Sequence, residues 1–263
     1  MLERILSDRR RDLDETRSRV PLAEVQRLAA SAPKPRDFLH ALLAASTRPA
    51  LIAEVKRASP SRGVLRADLD PGSLARAYHQ AGAAAVSVLT ERRHFRGSLE
   101  DLRAVREAVP LPVLRKDFLL DEYMVWEARA HGADAVLLIV GAVHVAMLAR
   151  MHALALDLGM TPLVEVHEAE ELEVARHLGP RLLGINNRNL RTLEIDRDAA
   201  VRLRPAVPEG IATVAESGLE NAADIARARG AGFTAVLVGT ALVAGSGPFD
   251  PAGRVRELMG ATS

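Results

Sequence analysis

A pentapeptide of the form G-x-x-A-V occurs three times, as Gly82–Val86, Gly132–Val136 and Gly232–Val236, with glycines 50 and then 100 residues apart. Each copy follows a helix-like segment and opens a short aliphatic run, VSVL, LLIV or LVG. Physically this is a helix stopped by a left-handed glycine, followed by a strand buried on both faces of a parallel sheet. Two strand–helix units per shorter interval make a unit of about 25 residues, the length of a βα repeat.

Carried along the chain, that count predicts eight strands, near 50–56, 84–89, 111–116, 134–140, 161–166, 182–186, 211–216 and 234–239. Helix starts fall between them at Asp70-Pro71, Ser98, Asp121-Glu122, His167-Glu168 and Glu220-Asn221, where capping side chains or an N-terminal proline satisfy the first turn. Eight βα units predict a closed (β/α)8 TIM barrel. An open doubly wound sheet is the alternative, but no Gly-rich dinucleotide fingerprint follows the first strand. Residues 1–47 read as helical, with Leu2, Ile5, Leu6 and Leu13 on one face and Phe38, Leu39, Leu42 and Leu43 in a second apolar patch. They are expected to be extra N-terminal helices packed on the barrel of 48–263, so that 1–263 forms a single domain.

Hydrophobic residues make up 48% of the 263 positions but aromatics only 3%, so the core must be built from Ala, Val, Leu and Ile. A net charge of +1 with 26% charged residues favours neither a nucleic-acid nor a membrane partner. Arg9, Arg10, Arg11, Arg17 and Arg19 interleave with Asp8, Asp12, Asp14 and Glu15, which reads as a solvated helix face. Cysteine is absent, which excludes disulfides, thiolate metal sites and cysteine nucleophiles and fits a reducing cytoplasm. MLERILSDRRRDLDE lacks the apolar stretch of a signal peptide. The most apolar segment, 135–149, is broken by Gly141 and His144 and is too short to span a membrane. A cytoplasmic monomer is expected.

Of 35 basic side chains only three are lysines, Lys34, Lys56 and Lys116. A retained lysine suggests a position needing a compact amine whose pKa can fall far enough to give up a proton. Lys56 and Lys116 end the apolar runs ALIAEVK and LPVLRK. Catalytic groups of such barrels stand at the C-terminal strand ends. Period-two alternation places Glu54 with Lys56 on the first strand, Lys116 on the third, Glu165 on the fifth, Gly184 with Asn186 on the sixth and Glu216 on the seventh, all aimed at one mouth. Mutual salt bridging is the alternative for any one of them. Burying three acids and two amines together is costly without a substrate to act on, and should push some pKa values towards neutrality. After the last two strands, Ser217-Gly218 and Gly239-Thr240 put small residues where barrels bind phosphate, with a short helix to follow Gly239.

Seven motifs, IAEVKRASPSRG, VSVLTERRHFRGSLEDL, VLRKDF, LVEVH, GINNRNLRTLEID, VAESG and VLVGTAL, occur in the order and spacing of the indole-3-glycerol phosphate synthase family. The chain resembles that family over essentially its whole length. The resemblance implies a (β/α)8 barrel that closes the ring of 1-(2-carboxyphenylamino)-1-deoxyribulose 5-phosphate with loss of carbon dioxide and water, without metal or organic cofactor. It implies Lys116 as principal general acid, Glu165 as the carboxylate assisting later proton transfers, and Lys56 beside Glu54 as second donor and anion contact. Asn186, Glu216 and Ser217 would orient the substrate hydroxyls and the lysines, and Arg188 would reach the anthranilate carboxylate. Ser59, Gly218, Gly239 and Thr240 would hold the phosphate, with threonine where the family often has serine. Phe95 and Phe118 would flank the aromatic ring, and Ala58–Ala67 would form a lid.

Two neighbouring barrel families fit less well. Phosphoribosylanthranilate isomerases rely on a cysteine base, and the imidazole-glycerol-phosphate branch on paired aspartates at strand ends. A non-catalytic phosphate-binding barrel would need neither Lys116 nor Glu165.

Overall fold

The computed structural model describes residues 1–244 and 249–260 of the chain. Its eight main strands are Ala50–Val55, Ala85–Leu89, Val113–Lys116, Ala135–Ile139, Thr161–Val166, Leu182–Asn186, Ala212–Glu216 and Ala235–Val238. They pair in parallel, each with its sequence neighbours, and the eighth closes on the first in the register Ala50↔Ala235 to Ala53↔Val238. This is the (β/α)8 barrel expected, with every strand within two residues of its expected limits. Strand residues are almost all buried, because the barrel interior covers one face and the helices the other.

The punctuation works as the repeat implied. Gly82, Gly132 and Gly232 have φ of 92°, 85° and 77°, the left-handed conformation that ends a helix at little cost only for glycine. Asp70 accepts the Ser73 backbone N–H ahead of Pro71, and Ser98 accepts that of Asp101. Asn221 and Asp224 form a reciprocal capping box.

Three helices, Leu2–Arg19, Leu22–Ser31 and Phe38–Ala44, precede the first strand. Ile5, Leu6, Leu13, Val25, Phe38, Leu39 and Leu42 join the same apolar core as the barrel side chains, whereas Leu43 is exposed and lies outside it. The reading of the arginine-rich helix as a solvated face holds for Arg10 and Arg11 but fails for Arg9 and Asp12, which are buried. Arg9 Nη2 donates to Asp117 Oδ2 at 3.0 Å, and Arg93 Nη2 to Asp12 Oδ1 at 2.6 Å. The first helix is thus tied by its charges to the loops after the second and third strands. Among the described residues, no helix is long and apolar enough to cross a membrane.

Candidate active site

The fourteen residues given catalytic or binding roles from the sequence line one cavity of about 120 Å³ at the C-terminal mouth of the barrel, whereas Gly184, also expected to face it, does not. Parallel strands explain the convergence, since every strand end points the same way and alternate side chains face inward. On the first strand, Lys56 Nζ pairs with Glu54 Oε1 at 2.7 Å. Across the mouth, Lys116 Nζ lies 3.1 Å from Glu165 Oε2 and 3.1 Å from Glu216 Oε2. One ammonium therefore bridges carboxylates from the fifth and seventh strands, and only 14% of its side chain is exposed.

The pKa of Lys116 does not fall as its sequence suggested. Burial alone would lower it, but the charges of Glu165, Glu216 and Glu54 outweigh burial and hold the ammonium above its ordinary range. The two bridged carboxylates diverge. Burial pulls Glu165 upward, but Lys116, His167 and the Asn186 amide prevail and keep it well below the usual carboxylate range. Burial and the nearby charge of Glu165 push Glu216 up to about 8, against the pull of Lys116. Neither Glu216 carboxylate oxygen receives a hydrogen bond of good geometry, which fits a group leaning towards its neutral form. Carboxyls held apart in this way suit opposite proton-transfer tasks at one pH.

Asn186 links the cluster to the outer loops. Its Nδ2 donates to Glu165 Oε1 at 3.1 Å, and its Oδ1 accepts the Arg188 backbone N–H at 3.0 Å. Arg188 Nη1 donates to Leu193 O at 2.9 Å and to Ser61 Oγ at 3.2 Å, placing the guanidinium beside the loop that follows the first strand. The loop after the first strand carries a small hairpin, Ala58–Ser59 against Gly63–Val64, and its Arg62 pairs with Glu220 at 2.9 Å.

Phe95 and Phe118 face one another with centroids 6.3 Å apart and planes tilted by 40°. Ser59, Gly218, Gly239 and Thr240 line the same cavity, and Gly239 caps a short helix, Thr240–Val243. Ser217 and Gly218 have φ of 61° and 72°, a tight left-handed corner at the end of the seventh strand. Among the described residues, no group of three or more His, Cys, Asp or Glu side chains is arranged to hold a metal ion.

Sequence reasoning missed several participants. Glu91 is fully buried, and its carboxylate accepts the backbone N–H groups of Arg93, His94 and Phe95 at 3.0, 2.7 and 3.0 Å, folding the loop that carries Phe95. Leu2 and Ile5 of the first helix line the cavity. His167, read only as a helix start, lies 3.2 Å from Glu165. Alternation did not reveal it, because the fifth strand ends at Val166 and His167 borders a neighbouring cavity.

A family model described as indole-3-glycerol phosphate synthase matches residues 2–255. The indole-3-glycerol phosphate synthase of Parafrankia sp. (strain EAN1pec) is 53% identical over 247 residues, covering 94% of this chain and 91% of that protein. The protein of the same name from Dehalococcoides mccartyi (strain CBDB1) is 46% identical, covering 98% of this chain and all of its own length. Among solved structures, 3-hexulose-6-phosphate synthase from Salmonella typhimurium superposes with a TM-score of 0.63 at 14% identity over 81% of this chain and 97% of that one, a likeness of fold alone. With barrel, clustered charges and near end-to-end matches agreeing, the chain belongs to the indole-3-glycerol phosphate synthase family.

Proposed function

We propose that the clustered side chains divide the family's reaction as follows. The enzyme converts 1-(2-carboxyphenylamino)-1-deoxyribulose 5-phosphate to indole-3-glycerol phosphate, carbon dioxide and water, a step of tryptophan biosynthesis. The aromatic carbon bearing the carboxylate attacks the ketose carbonyl, and the carbonyl oxygen takes a proton from Lys116 as the carbon–carbon bond forms. An ammonium held above its ordinary pKa is a weak acid towards a ketone, but an adequate one towards the alkoxide that develops as the bond closes. Loss of carbon dioxide then returns the bonding electrons to the dearomatised ring. Dehydration follows, with the hydroxyl leaving as water on a proton from Lys56 or Lys116, and Glu165 taking the proton released from the ring side. Glu216, its pKa raised to about 8 and therefore mostly protonated near neutrality, helps restore the donor between turnovers.

The observation that carries this reading is the double contact of Lys116 with Glu165 and Glu216 at 3.1 Å each. It keeps a proton donor charged in a closed mouth and surrounds it with groups able to reload it. Arg188 is assigned to the substrate carboxylate, Ser59, Gly218, Gly239 and Thr240 to its phosphate, and Phe95 with Phe118 to its ring. The proposal also places the enzyme in the cytoplasm as a monomer working without metal or organic cofactor. The test is to incubate the purified protein with the substrate in the presence of a chelator and follow indole fluorescence. Turnover is expected, and its absence would overturn the assignment.

A further inference from the structure

Glu165 has a second cation at its back. His167 Nε2 lies 3.2 Å from Glu165 Oε1, an ion-pair contact rather than a linear hydrogen bond, while Nδ1 lies 3.0 Å from Glu171 Oε2. The same Glu171 oxygen accepts the His167 backbone N–H at 2.7 Å, so imidazole and main chain are fixed together. An imidazole facing carboxylates at both nitrogens can offer a proton to each only as the imidazolium. Burial lowers its pKa, yet the contacts with Glu165 and Glu171 prevail and raise it to about 10.

Each oxygen of Glu165 is therefore committed. Oε2 accepts from Lys116 Nζ at 3.1 Å, and Oε1 faces His167 and the Asn186 amide. Glu165 lines the main cavity, but His167 does not. His167 lines a smaller neighbouring cavity of about 50 Å³ with Glu168, Glu171 and Arg191. It approaches Glu165 from outside the space assigned to the substrate.

We infer that His167, oriented by Glu171, is a positioning residue for ring closure: it keeps Glu165 ionised and turned so that Oε2 aims the Lys116 ammonium at the substrate. The inference rests on the reading of Lys116 and Glu165 as the proton-transfer pair. The competing account is a simple staple between the fifth strand and the helix Ala169–His177 that follows it. Charged groups facing this pair from other elements are Lys116 on the third strand and Glu216 on the seventh, with Glu171 from the helix and Glu168 and Arg191 across the small cavity. Removing the imidazolium takes a cation away from Glu165, so the carboxyl pKa must rise. A staple would share that shift, but only a positioning residue lowers kcat with KM and thermal stability held.

The experiment compares wild type with His167→Ala, His167→Gln and Glu171→Gln by steady-state kinetics, thermal unfolding and NMR titration of labelled glutamate carboxyls. His167→Ala should lower kcat by between about tenfold and a hundredfold with KM changed by less than about threefold. The titration of Glu165 should move upward by at least about half a pH unit. His167→Gln keeps an N–H near Oε1 without the charge, so it should retain more kcat than alanine while showing the same upward shift. Glu171→Gln should fall between wild type and His167→Ala. Unchanged kcat, an unmoved Glu165 titration, or a fall in kcat that follows lost thermal stability would overturn the inference. Wild type inactive on the substrate would instead bring down the functional reading beneath it.

Discussion

Gly184 lies directly beneath Glu216: a β-carbon on the glycine would stand 2.2 Å from Glu216 Oε1. Gly239 stands in the same relation to Glu54, where a β-carbon would meet Oε1 at 2.2 Å and Lys56 Nζ at 3.0 Å. Neither glycine has a left-handed φ. What each supplies is room, on one strand, for a carboxylate from the next.

Gly184→Ala should therefore displace the Glu216 carboxylate and loosen its hold on Lys116. We expect kcat to fall by about tenfold to a hundredfold and stability by about 1–3 kcal/mol. Adding Glu216→Asp withdraws the carboxylate by one methylene, so the double variant should unfold at a higher temperature than Gly184→Ala alone. Thermal unfolding with steady-state kinetics checks both, and wild-type turnover in Gly184→Ala would remove the need for that space.

Lys116→Arg should bind substrate nearly as well as wild type but lose about a hundredfold to ten-thousandfold in kcat. Arginine preserves charge between Glu165 and Glu216 but does not part with its proton. A guanidinium there that sustained near-normal turnover would disqualify Lys116 as the acid.

The raised pKa of Glu216, about 8, makes a prediction about stability with a definite sign. The folded protein holds this proton more tightly than the unfolded chain does, so the group favours folding at low pH. That contribution fades as pH rises from the ordinary carboxylate range through about 8. Glu216→Gln should accordingly flatten the decline, and its advantage over wild type should be greater at pH 9 than at about pH 5. Denaturant titrations at the two pH values measure it, and an advantage confined to low pH would contradict the shift.

Arg9→Ala leaves the buried Asp117 carboxylate short of one of its cations, the other being Arg115 at 3.1 Å. We expect a loss of about 3 kcal/mol in urea unfolding, together with reduced kcat because Asp117 adjoins Lys116. A change under about 0.5 kcal/mol would show that the first helix is not anchored through this pair.

For the phosphate, Thr240→Ala is the cleaner probe. Any side chain at Gly239 collides with Glu54 and mixes two effects. The threonine variant should raise KM by about tenfold with kcat little changed, and an unaltered KM would move the phosphate elsewhere.

The barrel was legible because its signals are local. Glycines stop the helices ahead of the second, fourth and eighth strands, an aliphatic run follows each, and parallel pairing sends every strand end to one side. The inward side chains followed from alternation alone, so Lys116 and Glu165 could be brought together without knowing any distance. What escaped the sequence depends on contacts between distant segments. Arg9 and Asp12 looked solvated because nothing near them in the chain reveals Asp117 or Arg93 as partners. The pKa of Lys116 was misjudged in direction because burial was weighed without the carboxylates arriving from the fifth and seventh strands. Gly184 was read as facing the mouth but not as room for a carboxylate, since the oxygen occupying its space belongs to another strand.

The pairing of the eighth strand with the first joins Ala53 to Val238, each one residue short of Glu54 and Gly239. A polypeptide leaving the ribosome thus carries Glu54 and Lys56 from early in synthesis, with one wall of their pocket still untranslated. Until that final strand docks, Gly239 and Thr240 cannot reach the amines, so the pocket is completed only late in synthesis.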